Sequence, residues 1–256
     1  MRLHRFYISE KIGSQKELVI DSAELVNQIS RVFRLRTGDR VILFDGSGSD
    51  FECEICEDSI DTRGKRAGGV KSIRLVVREV SPSGYMPARK VVLYQAIIKK
   101  DKFEWVVEKA TELGVTDIIP VLAERSEKKS LDQKRLQKIA IEASEQCGRG
   151  DVPVIHSAIS RRFIPSHIER DLEKFSDASS QNVAIHLEGE EFSFSRRGLE
   201  EGSQLQPLAL FIGPEGGWSP AELEMFHKQK IQICSLGKQV LRAETAAIVA
   251  LSKVLM

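Results

Sequence analysis

The chain has 256 residues, enough for one large domain or two modest ones, and its 41% hydrophobic and 29% charged residues are typical of an ordinary globular protein. No apolar run approaches the length of a membrane-spanning helix, and Met1–Phe6 lacks the apolar core of a signal peptide, so we expect a cytoplasmic protein without a membrane partner. Four scattered cysteines fit a reducing compartment, and a net charge of +1 means that only a local basic patch could bind nucleic acid.

Residues 1–82 are predicted to form a small β-rich domain. One helix is expected from about Ala23 to Leu35, with Ser22 as a possible N-cap. Short strands around one helix favour a small barrel, and the segment 81–87 has the Pro, Ser and Gly content of a linker. The predicted strands are Val41–Phe44, Phe51–Ile55 and Ile73–Val80, the first two joined by the turn signal Asp45–Ser49.

After Pro87, strand and helix patterns alternate through the predicted second domain, residues 83–256. This alternation indicates an α/β domain with a mainly parallel sheet that is covered on both faces. The predicted strands are Val91–Ile98, Asp117–Leu122, Val152–Ser157, Val183–Leu187, Leu208–Ile212 and Ile231–Leu236.

Three of the helices carry start signals, and two of them also carry stop signals. Capping boxes are predicted from residue types three positions apart, and glycine is the usual residue just beyond a helix end. The pairs are Asp101 with Glu104, Ser130 with Gln133 and Ser219 with Glu222, and the stops are Gly114 and Gly148.

Two glycine-containing loops follow the last two predicted strands. The first is Gly213-Pro214-Glu215-Gly216-Gly217, and the second begins at Leu236-Gly237 and continues through Val240–Ala247. Loops at the carboxyl ends of neighbouring parallel strands form a ligand crevice. The first loop lacks the spacing of a dinucleotide fingerprint and no Gly-Lys-Ser/Thr follows, so we expect a ligand held by backbone groups and apolar walls rather than through phosphates.

This pair of loops closely resembles one family, the bacterial small-subunit ribosomal RNA uridine-N3 methyltransferases of the SPOUT superfamily. The resemblance extends over nearly the whole chain. Further segments that fit it are Ser30–Arg36, Phe44–Gly46, Glu124–Ser126, Glu145–Arg149 and Val152-Pro153.

The resemblance implies a PUA-like RNA-binding barrel over residues 1–82 and a SPOUT methyltransferase domain with a deep trefoil knot over residues 83–256. It also implies S-adenosylmethionine (SAM) as cofactor, a homodimer, and methylation of N3 of a single uridine in 16S rRNA of the 30S subunit. From the residues themselves, with scattered histidines and one lone cysteine pair, we expect no metal. Two alternatives stay open. One is a SPOUT enzyme acting on another base or a 2′-hydroxyl, and the other is a non-catalytic RNA-binding assembly factor.

Residues that would hold the cofactor follow from the same resemblance. Leu187–Glu191 occupies the place of the first cofactor loop. Ile212, Leu236 and Leu241 would wall the adenine ring and the methionine stem. The full expected set is Leu187, Ile212, Gly213, Pro214, Glu215, Gly216, Gly217, Leu236, Gly237, Leu241, Thr245 and Ala246.

Three residues are candidates for the chemistry. Arg242 could stabilise the charge that spreads to the uracil carbonyls once N3 loses its proton, although an ion pair with Glu244 or Glu215 is the alternative. Glu244 could accept the proton or orient Arg242, or could simply complement the helix dipole. Arg149 could reach substrate or phosphate, or could be an ordinary loop residue.

Arginines near the N-terminus are candidates for RNA contact. Four lie between positions 31 and 40, and a solvated helix face is the alternative reading of such a run. The expected RNA-binding residues are Arg2, Arg5, Arg31, Arg34, Arg36 and Arg125.

Two further features complete the expectations. Cys53 and Cys56 lie three apart in a predicted strand, where they face opposite sides and cannot readily chelate a metal. The last helix, Thr245–Leu255, is apolar on nearly all sides and needs burial all round, which places it near the interface of the expected homodimer.

Overall fold

The computed structural model describes residues 3–56, 72–126, 130–164, 166, 181–193 and 207–256. The chain divides into two compact units. The first comprises Met1–Met86 with Ser144–Asp151, and the second comprises Pro87–Ala143 with Val152–Met256. Compared with the domains predicted from the sequence, the first unit includes one additional segment, Ser144–Asp151, which contains the end of a helix and the loop after it.

Within its described residues, the first unit contains a five-stranded sheet of order β1-β3-β4-β5-β2. β1 runs parallel to β3, and the remaining pairs are antiparallel. One face is built around fully buried side chains that include Phe6, Ile29 and Leu43. The strands are β1 (His4–Tyr7), β2 (Glu17–Ile20), β3 (Arg40–Phe44), β4 (Ser49–Ile55) and β5 (Ile73–Pro82).

The helix of this unit is shorter than the sequence predicted. Helix α1 covers Ala23–Asn27, a π-helical turn continues over Gln28–Val32, and Ser22 makes no side-chain capping bond. The backbone N–H of Phe33 donates to the carbonyl of Gln28, five residues back, at 2.9 Å. The wider turn ends the helix before Leu35.

The second unit contains, in its described part, a sheet of seven parallel strands of order β12-β10-β11-β6-β7-β8, with β9 also paired to β7. The parallel pairing confirms the predicted α/β class. The strands are β6 (Val91–Ala96), β7 (Asp117–Leu122), β8 (Val154–Ile155), β9 (Ile159–Ser160), β10 (Gln181–Glu191), β11 (Leu208–Ile212) and β12 (Gln232–Ser235).

Helices cover this sheet on both faces. One core cluster joins the sheet to side chains of α2, α3 and α5, such as Phe103, Leu136 and Ala247. The other joins it to Phe226 of α4 and to Trp218 just before α4. The helices are α2 (Lys100–Leu113), α3 (Gln133–Cys147), α4 (Pro220–Lys228) and α5 (Ala243–Leu255).

Some of the predicted helix caps and stops are present in the structure and others are not. Gly114 ends α2 in a left-handed conformation, φ +105°. The Ser219–Glu222 capping box is fully formed. Asp101 lies inside the first turn of α2 instead of capping it. At α3 the carboxylate of Asp132, not Ser130, accepts the first-turn N–H of Arg135 at 3.1 Å.

None of the helices in the described ranges combines the length and the apolar character that crossing a bilayer requires.

Candidate active site

All strands of the second unit's sheet are parallel, so their carboxyl ends lie along one edge. The loops that follow β7, β11 and β12 therefore share this edge, and β10 lies between β11 and β12. Both glycine-containing loops are in this group. The sheet thus brings together the segments that the sequence marked for ligand binding.

The first loop follows β11 and turns sharply. The N–H of Gly217 donates to the carbonyl of Pro214 at 2.8 Å, and Gly217 has a φ of +67°, a conformation that glycine adopts without strain. A Cβ on Gly217 would meet no atom of the described residues within 4 Å. Open space therefore lies directly over the backbone at this position.

Two long contacts hold this loop in place. The Nη1 of Arg125, in the loop after β7, donates to the carbonyl of Gly216 at 2.9 Å and to that of Trp218 at 3.4 Å. The buried indole of Trp218 donates from Nε1 to the carbonyl of Ile185 in β10 at 3.2 Å. These contacts tie the loop to β10 and to the end of β7, the two strands that flank the β11–β6 pair in the sheet.

Glu222 fixes the end of the loop. Its carboxylate is 1% exposed, with Oε2 accepting the N–H of Ser219 at 2.8 Å and Oε1 accepting the N–H of Glu124 at 2.9 Å. The hydroxyl of Ser219 in turn donates to the carboxylate of Glu124 at 3.0 Å. One buried carboxylate therefore joins the start of α4 to the loop after β7.

The second loop follows β12. The Ser235 hydroxyl donates to the carbonyl of Gly237 at 2.9 Å, and Gly237 has a φ of +134° with open space where a Cβ would lie. Ile212 is buried, whereas Leu236 and Leu241 are half-buried. These side chains give the edge an apolar lining.

The expected first cofactor loop, Leu187–Glu191, lies within β10, where the strand departs from regular pairing. Ile185 and Glu190 both lie opposite Cys234 of β12, so the residues between them leave the ladder. Leu187 is 55% exposed, and a Cβ on Gly189 would come within 2.6 Å of the Cys234 backbone. Burial, with a smaller contribution from the Glu190 charge, raises the pKa of the Cys234 thiol, which keeps it neutral.

Arg242 and Glu244 begin helix α5. Arg242 is the exposed residue before the first turn, and its guanidinium makes no ion pair with any described residue. Glu244 is buried and lies 3.5 Å from Nζ of Lys102 in α2. The ion pair with Glu244 that was the alternative for Arg242 is therefore made by Lys102. Thr245 is exposed and Ala246 buried in the same turn.

Arg149 lies in the first unit and is fully buried. Its Nε and Nη2 donate to the two carboxylate oxygens of Asp151 at 2.8 and 2.9 Å. Arg5 is nearly buried as well, is paired with Asp50, and donates to the Arg149 carbonyl at 3.2 Å. These placements favour structural roles over the catalytic and RNA-binding ones that the sequence suggested.

Of the other arginines expected to contact RNA, Arg31, Arg34 and Arg36 are exposed in the first unit. Arg2 lies outside the described residues. Arg125 is exposed, but its guanidinium is engaged with the Gly216 loop.

Several polar residues at this edge had no local sequence signal. Lys102 lies in the first turn of α2, and Gln95 lies in the apolar strand β6. Gln95 is fully buried, and its Oε1 has no hydrogen-bond partner among the described residues. A polar depression beside the Glu222 network is lined by Glu124, Ser126, Arg161 and Arg162.

Cys53 and Cys56 lie far from these loops in the sequence, in the first unit. Cys53 is buried, Cys56 is half-buried, and both thiols are free. Burial raises the pKa of Cys53 to about 12, so its thiol stays protonated at neutral pH.

Comparison with known proteins agrees with this geometry. A sequence profile described as the RNA methyltransferase domain matches residues 86–255. A second profile, the PUA domain of RNA methyltransferases, matches residues 29–58. The chain belongs to the RNA methyltransferase family with a PUA-like N-terminal domain.

Two relatives of the chain carry the same name. The chain is 30% identical to ribosomal RNA small subunit methyltransferase E of Rickettsia conorii, over 99% of this chain and 96% of that protein. It is 33% identical to the protein of the same name from Bacillus subtilis, over 91% of this chain and 88% of the relative. The resemblance inferred from the motifs is confirmed.

Solved structures share the fold along almost the whole chain. A Legionella pneumophila protein assigned as a methyltransferase, solved with bound SAM, has a TM-score of 0.77 and 29% identity, covering 98% of this chain and 96% of that one. A ribosomal RNA small subunit methyltransferase E from Neisseria gonorrhoeae has a TM-score of 0.79 and covers 98% of this chain and 95% of its own. At 24% identity, the latter likeness bears on the fold alone.

The Glu222 network predicts a stability effect. Glu222→Gln keeps the shape of the side chain but replaces one acceptor oxygen with a donor, which leaves a buried N–H of Ser219 or Glu124 without its bond. We expect the free energy of unfolding to fall by about 1–3 kcal/mol, measured by urea titration.

The matched control is Glu224→Gln in the same helix. Glu224 pairs with Lys228 on the exposed surface at 2.7 Å, so its substitution should leave the urea midpoint nearly unchanged. Equal effects of the two substitutions would show that Glu222 does not have this special role.

Proposed function

We propose that the chain transfers a methyl group from SAM to N3 of a uridine in small-subunit ribosomal RNA, and that it acts as a homodimer. The observation that carries the proposal is the pair of glycine-containing loops at one edge of a parallel sheet, with an exposed arginine at the end of the second. Both the cofactor and the kind of RNA are those named for its relatives and for a similar solved structure.

The edge of the sheet fits such a cofactor. Gly217 and Gly237 leave open space over their backbones, which allows a ligand to approach closely. Half-buried Leu236 and Leu241 supply apolar surface for the adenine ring and the methionine chain, and the buried Ile212 belongs to the core cluster against which they pack. The buried Oε1 of Gln95, in register with Ile212 and without a partner among the described residues, offers an acceptor at the same edge. We propose that the expected set from Leu187 to Ala246 holds SAM.

When bound, SAM would supply an electrophilic methyl group on its sulfonium, and transfer of that group would break the S–C bond and leave a neutral thioether. Uracil N3 must lose its proton before its lone pair can form the new N–C bond, and the resulting negative charge spreads to the two flanking carbonyl oxygens. The Arg242 guanidinium has no competing carboxylate among the described residues, so it is available to donate to such an oxygen. Arg242 is therefore proposed as the catalytic residue.

Glu244 has a different role in this proposal. Glu244 is buried and its carboxylate lies 3.5 Å from Nζ of Lys102, an ion pair that anchors the start of α5 to α2. A carboxylate in the first turn also complements the helix dipole. Glu244 thus orients the segment that presents Arg242, and the proton acceptor is left to another group or to water.

RNA contact is proposed for Arg31, Arg34 and Arg36, which are exposed and make no ion pair within the described ranges. Arg149 and Arg5 are omitted because both are buried and paired. The deep trefoil knot that the family resemblance implies stays a prediction.

The homodimer is supported by surface that this chain leaves uncovered. Helix α5 is apolar on most sides, and Ile248, Val249 and Leu255 are only half-buried. Trp105 and Val240 are 40% and 78% exposed, respectively.

We expect static light scattering at micromolar concentration to give twice the mass of the 28.7 kDa chain. A monomer mass would contradict this part of the proposal.

A cofactor prediction follows from Gly217. At φ +67° a valine would strain the backbone, whereas asparagine tolerates this conformation and still adds a Cβ to the open space. Gly217→Asn should therefore stay folded and lose most of its SAM affinity, measured by isothermal calorimetry. Parental affinity in the folded variant would mean that the ligand does not approach the loop here.

Arg242 gives the direct test of the proposed chemistry. Because removal of one donor that stabilises developing charge costs on the order of 10²–10³ in rate, Arg242→Ala should slow single-turnover methylation of small-subunit rRNA by about that factor. SAM affinity and oligomeric state should stay nearly parental. Lysine should rescue the rate poorly, since a point charge cannot reproduce the planar guanidinium fork.

SAM affinity is the control for this experiment. If Arg242→Ala lost SAM binding as severely as turnover, Arg242 would hold the cofactor loop and would not act on the substrate. If the parental protein bound SAM but methylated no RNA, the proposed function itself would be wrong.

A further inference from the structure

One surface of the first unit combines an exposed aromatic ring with arginines that make no ion pair with any described residue. We define the Phe33 surface as His4, Arg31, Val32, Phe33, Arg34 and Arg36. Val32 is 63% and Phe33 37% exposed. Two adjacent apolar side chains this exposed beside arginines indicate a surface that binds a partner. A single exposed apolar residue would need no such explanation.

The ring of Phe33 is held on one side and open on the other. Its centroid lies 4.3 Å from that of His4 and 5.4 Å from that of the buried Phe6, with an edge-on geometry in the second case. These contacts fix the ring without covering it. A pre-positioned ring loses little conformational freedom when a second flat group stacks on it.

The backbone that presents the ring is unusual. A π-helical turn precedes Phe33, and such turns are frequent at functional sites. Arg34 follows at φ +56°, in the left-handed region where a helix usually ends in glycine. The position therefore carries a long cationic side chain in a conformation that disfavours it. Strain of this kind leads to a hypothesis of function.

The cations of this surface are free to meet an anion. Arg31, Arg34 and Arg36 make no ion pair with any described residue. By contrast, Arg40 lies 2.8 Å from Glu52. The carboxylate of Asp39 accepts the backbone N–H of Arg36 at 2.6 Å and so is engaged with the main chain.

We infer that the Phe33 surface binds unpaired nucleotides of RNA, with a nucleobase stacked on the Phe33 ring and neighbouring phosphates on the arginines. Single-stranded nucleic acid is the partner that needs both an aromatic platform and cations a short distance apart. The inference rests on the proposed function, which supplies an RNA substrate. It adds that this unit selects unpaired nucleotides, a property separate from methyl transfer.

Binding of the full chain to a labelled uridine homopolymer, followed by fluorescence anisotropy without SAM, tests the inference. Phe33→Leu keeps apolar packing against Phe6 but removes the stacking face. Since stacking contributes about 1–3 kcal/mol per base, affinity should fall about 5- to 150-fold. Phe33→Trp should keep parental affinity or improve it.

Salt dependence separates stacking from charge. Phe33→Leu should leave the slope of log affinity against log salt unchanged, because no phosphate contact is lost. Arg34→Gly relieves the backbone strain while it removes a charge, so it should flatten the slope by about 0.7 per lost contact to a single strand. Val19→Ala, a change at an exposed apolar residue of β2 outside the Phe33 surface, should have little effect.

Double-stranded RNA of the same length completes the experiment. Its bases are stacked within the duplex, so Phe33→Leu should leave its binding unchanged. Parental affinity of Phe33→Leu for the single strand would overturn the inference. An equal loss for single and double strands, or an altered salt slope, would also overturn it and assign the effect to a disturbed basic surface. Since no SAM is present, failure here is distinct from failure of methyl transfer.

Discussion

The buried carboxylate of Glu222 is the interaction on which the proposed active site depends. It satisfies two backbone N–H groups, one at the start of α4 and one in the loop after β7, and so fixes the end of the glycine loop relative to a strand two positions away in the sheet. A buried carboxylate is costly unless its hydrogen bonds are made. That cost is what makes the arrangement specific, because any other placement of α4 would leave the charge unsatisfied.

Burial and pairing also divide the charged residues of the chain into two groups. Arg149, Arg5 and Glu244 are buried and each faces an opposite charge, so they stabilise the fold and hold their segments in place. Arg242 and Arg34 are exposed and make no ion pair with the described residues. In the proposed function the free guanidiniums are those that meet RNA. The division of labour follows from which cations the fold neutralises and which it leaves available.

Local sequence patterns predicted the features that depend on neighbouring residues. β7 and β11 have the predicted bounds, and the Ser219–Glu222 capping box is present, because periodicity and capping act over a few positions. The short strands β1 and β2 were missed, since four residues hold too little periodicity to recognise. The early end of α1 depends on a π-helical turn that no residue type in the sequence indicates.

The contacts that define the site were mostly beyond local prediction. The bond from Glu124 to Glu222 spans 98 positions in the sequence, and the Lys102–Glu244 pair likewise joins distant helices. Arg149 illustrates the reverse case, since a loop arginine reads as free until its carboxylate partner and complete burial are seen. Motif resemblance located the two loops, and the structure was needed to distinguish residues that face solvent from those that hold the loops.

Mass spectrometry of ribosomal RNA from cells that lack the gene for this chain tests the central claim most directly. The account predicts that one N3-methylated uridine of the small-subunit rRNA disappears in the deletion strain. It should return when the parental gene is restored but not when the restored gene carries Arg242→Ala. An unchanged N3-methyluridine content in the deletion strain, or full recovery with Arg242→Ala, would contradict it.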